Sequence, residues 1–415
     1  MVSLFDTKAQ NLALEGELAE AFSRVLRSGQ FILGPEVEAF ESECGDYLGC
    51  RHAIGVSSGT DAILLGLMAL GVGAGDEVIV PDFSFFATAG CVTRVGAKPV
   101  FVDVCPVCFN VTPEAIAGAI TPRTKAILPV HLFGQCCRIE EIVELAERRG
   151  IPVLEDAAQA FGARRNGRAG GTFGAFGAFS FFPTKNLGAF GDAGLLTTDD
   201  DERARKARIL RVHGMEPKYY HPMVGGNFRL DALQAALLRV KLPHLDRYSR
   251  RRAENAAFYT RELAQIEGVA GPIESRDRCG IEPAVSSPLI TLPATLAGNE
   301  HIWNQYTVRV HGGRRDDLVA ALREAGIGAE IYYPRPLHAQ ECYASAADGT
   351  QLLPTHTATR LADEVLSLPI YPELTPEELG VVVEKLAAWT KQGAYVRREG
   401  LSKPEASSSP SLRAD

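Results

Sequence analysis

Ile151-Pro-Val-Leu-Glu-Asp-Ala-Ala-Gln-Ala-Phe-Gly162 is an apolar run that ends on two acids and gives way to small residues and a glycine. Its first part, Ile151 to Leu154, reads as a buried strand, because β-branched residues bounded by turn formers suit the pleated conformation. Glu155 and Asp156 then stand at the strand's end. In an open α/β sheet, ligands bind in the crevice outside the carboxyl ends of the strands. Asp156 therefore has two readings, an acid that faces a ligand or the cap of a helix beginning at Ala157.

Outward from this stretch the same grammar repeats. Runs at Ala53-Ile-Gly-Val56, Glu77-Val-Ile-Val80, Pro99-Val-Phe-Val102, Ala126-Ile-Leu-Pro-Val130, Ala178-Phe-Ser-Phe-Phe182 and Leu195-Leu-Thr-Thr198 also read as strands. Between them, Asp61 to Leu70 and Ile139 to Arg148 carry apolar residues at helical spacing. Such alternation predicts an α/β fold, a mostly parallel seven-stranded sheet flanked by helices. Past Asn227, a helix predicted from Asp231 to about Tyr259 leads out of the sheet. Residues 268 to 298 are rich in Gly, Pro and Ser and read as an irregular connection. Asn304 to Val310, Asp316 to Ala325 and Ala329 to Tyr333 suggest a smaller α+β domain. The expected division is 1–245 for the large domain with an N-terminal helical segment, 246–400 for the small one, and a disordered tail over 401–415.

The chain has 415 residues, 46% of them hydrophobic and 23% charged, enough for two cores, since single cores stop growing near about 250–300 residues. A net charge of -8 and the lack of a basic run with interleaved aromatics argue against nucleic acid. The first residues are acidic where a signal peptide is basic, and no apolar stretch is long enough to span a membrane, so a cytoplasmic protein is expected. Nine cysteines, an odd number, suit reduced thiols. Cys105-Pro-Val-Cys108, with Cys136 and Cys137 downstream, raises a zinc or redox reading, but knuckle glycines and a second spaced pair are missing. No metal is assigned.

Chemistry concentrates in three segments. Ser180-Phe-Phe-Pro-Thr-Lys-Asn-Leu-Gly188 follows a predicted strand and sets Lys185 in a loop bounded by Pro183 and Gly188. At a sheet edge such a lysine is partly desolvated, which favours the neutral, nucleophilic amine; the alternative is a solvated surface lysine. Ser57-Ser-Gly-Thr-Asp61 opens a predicted helix, where Gly59, Thr60 and Asp61 offer backbone N–H groups to an anion; the alternative is a plain capping turn. It is not a P-loop, since the Gly-Lys-Ser/Thr ending is missing. Asp156 completes the set. A lysine for an aldehyde, an acid for a pyridine nitrogen and a phosphate turn are what pyridoxal 5'-phosphate requires. Gln159 would donate to the ring's phenolic oxygen, and Phe85, after the second strand, would stack on the ring or serve as core.

With these residues in view, the chain resembles the DegT/DnrJ/EryC1/StrS family of sugar aminotransferases, fold-type I PLP-transferases. The resemblance runs from about Gly34 to Pro372. It rests on Ser57-Ser-Gly-Thr-Asp-Ala62, Pro129-Val-His-Leu-Phe-Gly134, Glu155 to Ala160, Ser180 to Gly188 and Gly226-Asn-Phe-Arg-Leu-Asp-Ala-Leu-Gln-Ala235. It implies Lys185 as the cofactor-bearing lysine, Asp156 as the pyridine-nitrogen partner, Gln159 on the phenolic oxygen and Phe85 as the stacking ring. Thr60, Asp61 by its backbone, and Ser180 would hold the phosphate. Asn227 would reach the phosphate in a neighbouring subunit, giving a homodimer with shared active sites. Lys185 excludes the family's dehydratase variant, which has histidine there; Cys105 to Cys108 departs from the family's usual polar loop.

The implied reaction moves an amino group from L-glutamate to a keto-sugar nucleotide, for amino sugars of a surface polysaccharide or a glycosylated natural product. Lys218-Tyr-Tyr-His221, ahead of Gly225-Gly-Asn-Phe-Arg229, resembles members acting at C3, so a 3-keto sugar is favoured over a 4-keto one. The alternatives are a non-nucleotide ketone such as a cyclitol, or a cofactor-binding regulatory protein without turnover. His213, Tyr219, His221, Arg229, Tyr332, Tyr333 and His338 are polar loop residues placed to meet sugar or diphosphate, or else to satisfy local hydrogen bonds.

Overall fold

The computed structural model describes residues 1–272, 288–344 and 355–401, the last nine by backbone alone. Its centre is a sheet of β1 His52–Val56, β2 Glu77–Pro81, β3 Lys98–Val102, β4 Thr124–Ile127, β5 Leu154–Asp156, β6 Phe176–Ser180 and β7 Gly194–Thr198. The order is β1-β7-β6-β5 on one side and β3-β2-β4 on the other. Parallel bridges Ile127↔Val153 and Val130↔Asp156 join the two blocks, giving the expected seven strands. Only β7 runs antiparallel to its neighbours in the sheet, β1 and β6. The pairing of β5 with β6 starts at Leu154↔Phe176, so the strand lies further along the chain than the apolar run suggested. Pro152, which has no N–H to give a ladder, explains the late start. Both acids thus lie in the strand itself.

Burial of β2 and β7 along their whole lengths agrees with helices covering both faces. The helix Gly59–Ala69, apolar nearly all round, is sandwiched between the sheet and the helices Ala87–Arg94 and Asp201–Leu210. The helix expected from Asp231 to Tyr259 is two, Ala232–Lys241 and Leu245–Leu263, separated by a 3-10 turn at Leu242–His244. Pro243 sits in that turn; a helix interior would lack its hydrogen bond. The second helix begins in the large core at Leu245 and ends in another core through Ala256, Tyr259 and Leu263.

That second core is smaller. Tyr306–Val310 pairs antiparallel with Ile290–Thr291 and Val365–Leu368, and the helices Arg315–Glu324 and Pro376–Leu401 accompany it. Val2 bridges Ile327 and packs here, not under the large sheet. Ala329 to Tyr333 forms no strand; Glu330 alone bridges Ser367, and the chain beyond runs irregularly toward the large sheet. Much of the Gly/Pro/Ser-rich connection and the tail from Ser402 lie outside the described residues. Cys105 and Cys108 are buried with Val107, Ala294 and Leu296, and among the described residues no cluster of three or more metal-type ligands occurs. Nor, among them, is any helix long and apolar enough to cross a membrane.

Candidate active site

The carboxyl ends of β2, β5 and β6 converge on one cleft. Asp156 closes β5, and no helix follows it: residues 158 to 162 turn without helical repeat, so the capping role does not hold. Its Oδ1 accepts from the Ala158 N–H at 3.2 Å, and its Oδ2 from the Thr88 hydroxyl at 2.8 Å. Backbone bonds from Asp156 N to Pro129 O and from His131 N to Asp156 O lock the residue on both sides. Burial raises its proton affinity above the usual carboxylate range, while Thr88, the Ala158 amide and Lys185 pull it back.

Lys185 sits half-buried in the loop after β6, and burial pushes its ammonium down to about 8, with the Asp156 carboxylate opposing. Roughly a tenth of the amine is then neutral at pH 7, far more than for an ordinary lysine, and the neutral form is the nucleophilic one. Its loop is pinned from two sides. Asn186 donates to Ile302 O at 2.8 Å and accepts from Asn304, and the buried Lys241 donates to Gly188 O at 2.6 Å. Neither anchor is visible in the sequence, because each crosses from a distant segment.

Gln159 is oriented by its own bonds: Oε1 accepts from Phe133 N–H at 2.7 Å, and Nε2 donates to the Tyr333 hydroxyl at 3.1 Å. Tyr333 arrives from the irregular segment after Glu330 and packs 6.1 Å from the ring of Phe85, with Tyr332 behind it at 5.8 Å. Burial, then the charge of Asp156, holds the Tyr333 phenol well above its ordinary range, so it is a neutral hydroxyl. Phe85 is 56% exposed, an open aromatic face in the cleft and not core.

The phosphate turn survives a test of fit. A Cβ on Gly59 would lie 2.6 Å from Ser180 Cβ, and one on Gly194 would lie 2.4 Å from the Ser58 backbone. Glycine at both places lets β6, β7 and the helix N-terminus close into a small cradle suited to an anion. Asp61 differs from expectation: its N–H donates to Ser58 Oγ at 3.0 Å, and its carboxylate accepts from Ser57. The amides left for a ligand are those of Gly59 and Thr60, beside Ser180.

The remaining candidates divide. His213, Tyr219, His221 and Asn227 are exposed on one surface loop, where the His221 ring donates from Nδ1 to His213 O at 3.0 Å. Arg229 bridges Val56 by its backbone, and its buried Nε has no partner among the described residues. His338 is a tie: its N–H donates to Asp82 Oδ1 at 2.8 Å and its ring bonds the other oxygen, fastening the segment around Leu337 to the end of β2.

A buried acid, an activated lysine and a glycine-cleared anion cradle at one sheet edge are the working parts of a pyridoxal phosphate enzyme. The profile of the DegT/DnrJ/EryC1/StrS aminotransferase family matches residues 13–387, and the chain belongs to that family of PLP-dependent aminotransferases. It is 46% identical to a "pleiotropic regulatory protein" of Geobacillus stearothermophilus, over 95% of this chain and 100% of that one. It is 42% identical to a UDP-N-acetyl-3-dehydro-alpha-D-glucosamine 3-aminotransferase of Acidithiobacillus ferrooxidans, over 91% and 95% of the two chains. The crystal structure of DesV from Streptomyces venezuelae, in complex with a ketimine intermediate, superposes with a TM-score of 0.84 at 41% identity, covering 94% of this chain and 98% of that one.

Proposed function

We propose that this chain transfers an amino group from L-glutamate to the keto group of a sugar nucleotide, with a 3-keto sugar favoured, in amino-sugar biosynthesis. The observation that carries the reading is the half-buried Lys185, its proton affinity lowered to about 8, electrostatically coupled to the buried Asp156. Gly59, Thr60 and Ser180 would hold the cofactor's phosphate, Phe85 would cover its ring, Asp156 would face the ring nitrogen and Gln159 the phenolic oxygen. Bound there, pyridoxal phosphate supplies an electron sink and carries the amino group between the two substrates. Lys185 Nζ takes the proton from the donor's Cα and later returns one to the sugar carbon that bore the keto oxygen. Asp156, kept ionised, holds positive charge at the ring nitrogen.

Asn227, exposed on its loop, supports a homodimer in which each subunit completes the other's site. The relative of Acidithiobacillus ferrooxidans, named for a 3-dehydro sugar, supports the preference for C3. The regulatory name of the Geobacillus relative favours one rival, cofactor binding without transfer. Purified enzyme with pyridoxal phosphate, L-glutamate and a panel of 3-keto and 4-keto sugar nucleotides separates the readings. Multiple-turnover release of 2-oxoglutarate that requires a 3-keto sugar, and is lost in Lys185→Ala, is expected. Turnover only on cyclitol ketones, or cofactor binding with no transfer to any acceptor, overturns the proposal.

A further inference from the structure

The turn that presents Phe85 to the cleft also points two hydroxyls inward. Ser84 and Thr88 flank Phe85, Phe86 and Ala87, and both are buried, Thr88 completely. Thr88, in the first turn of the helix Ala87–Arg94, places Oγ1 2.8 Å from Asp156 Oδ2 and 3.0 Å from Ser84 Oγ. An ionised carboxylate only accepts, so the Thr88 hydrogen goes to Asp156. That hydrogen being used, Ser84 must donate to Thr88 Oγ1. The three groups form a one-way chain, Ser84 to Thr88 to Asp156, whose direction is set by the charge at its end. Were Asp156 protonated through Oδ2, the chain would have to run in reverse.

We infer that Thr88, backed by Ser84, is a positioning residue that fixes the Asp156 carboxylate and keeps it ionised for the cofactor's ring nitrogen. This rests on the reading of Asp156 given above. Without a donor at Oδ2, burial would drive the acid toward its neutral form, since only the Ala158 amide would remain as a hydrogen-bond donor to it. Other groups that face Asp156 are Lys185 from the loop after β6, His131 from the segment after β4, Tyr333 from the irregular segment after Glu330 and Cys91 from the helix that carries Thr88. Of these Lys185 favours the charged acid, but the charge on its nitrogen changes as the amine bonds to and leaves the cofactor's aldehyde. Thr88 then matters most, because its contribution does not change with the chemistry at Lys185.

The test uses cofactor-loaded enzyme. Thr88→Val keeps the shape and deletes the hydroxyl, Thr88→Ser restores it, and Ser84→Ala removes only the second link. Each is read by the pH dependence of the bound cofactor's visible absorbance and by the single-turnover rate with L-glutamate. Thr88→Val is expected to move the absorbance midpoint by about half a pH unit or more and to slow turnover about tenfold with little change in KM. Thr88→Ser should return both toward the parent, and Ser84→Ala should slow turnover by roughly two- to threefold. A Thr88→Val enzyme with unchanged midpoint and rate overturns the inference, as does a Thr88→Ser enzyme as impaired as Thr88→Val, which would show packing alone. If Thr88→Val does not fold, Ser84→Ala decides: an unchanged midpoint and rate overturn the inference. Asp156→Asn in parallel isolates the underlying reading: if it keeps the parent's midpoint and rate, the role given to Asp156 is wrong, whereas a damaged Asp156→Asn beside a normal Thr88→Val removes the relay alone.

Discussion

Glu155 and Asp156 are consecutive residues of β5, so their side chains leave the strand on opposite faces, and the two faces treat a carboxylate differently. Glu155 is fully buried and meets four donors: Phe173 and Gly174 amides on Oε1 at 2.6 and 2.7 Å, and the Gly171 amide and His131 Nε2 on Oε2, both at 2.8 Å. The tautomer of His131 follows, since its Nδ1 accepts from the Cys137 N–H and Nε2 must therefore carry a hydrogen. Asp156 meets two donors, and the rest of its capacity faces Lys185 and the cleft. A carboxylate accepts about four hydrogen bonds. Glu155 is saturated and acts as a fastener for the 171–174 loop, while Asp156 keeps capacity in reserve for a ligand.

The largest expected effect tests the saturated side. Glu155→Ala strands three amides and a ring N–H in a dry interior, and should cost about 3–5 kcal/mol of stability. Urea unfolding of the variant beside the parent measures it; a loss within about 1 kcal/mol would break the contrast, because the four bonds would then count for little. Asp156→Ala tests the other side. Transfer of the amino group should fall about 10²–10³-fold in single-turnover assays, the scale of losing one preorganised charge, with a smaller loss of stability than in Glu155→Ala, about 1–2 kcal/mol for the two donors it leaves unpaired. Strong destabilisation by Asp156→Ala would make both acids fasteners.

Strand alternation alone does not tell these two acids apart. Period-two alternation says that they face opposite sides, but not which side is the cleft, a fact decided by where β6 and the helix Gly59–Ala69 lie. The strands themselves were legible as β-branched runs, and the order of parts was too, since strand and helix alternate. The antiparallel direction of β7 was not, because a run of Leu and Thr carries no polarity. Pro243 was in plain view, yet the Ala- and Leu-rich flanks outweighed it and one helix was expected where two form. Lys185, Asp156 and Gln159 could be singled out as candidates because each stands at or just past the end of a strand in a short local motif. Thr88, Tyr333 and Lys241 acquire their roles only through contacts with residues 53 to 174 positions away. No local pattern announces such pairs.

A third, smaller effect sharpens the contrast through pH. In the folded cofactor-free protein Lys185 titrates near 8, below its ordinary 10.5, so the folded state binds fewer protons across that interval. Its contribution to stability is present above the ordinary value and lost as the pH falls through about 8. Attachment of pyridoxal phosphate requires the neutral amine, so its rate should rise about tenfold per pH unit below 8 and level off above it. Asp156 is the charge that opposes the shift, and removing it in Asp156→Asn should move the midpoint further down. Glu155→Gln, if folded, should leave the midpoint in place, because Glu155 spends its charge on the opposite face. Stopped-flow absorbance across pH 6 to about 10 reads all three proteins.

The smallest effect concerns Phe85, which extends the contrast from charge to packing. Its ring is 56% exposed beside Tyr333, whereas Phe83, two residues earlier, is 1% exposed in the core. An exposed ring gives the free protein little, so Phe85→Ala should change the unfolding midpoint hardly at all. Its use begins when a flat ligand covers it. Loss of one stacked aromatic face is worth about 0.5–1.5 kcal/mol, so the cofactor's dissociation constant should rise roughly two- to tenfold. Fluorescence titration of the cofactor-free protein with pyridoxal phosphate measures the change, and Phe85→Tyr, which keeps the face, should restore it. If Phe85→Ala instead lowers stability while leaving cofactor affinity intact, the ring belongs with Phe83 as core, and the open side of the site ends at Asp156.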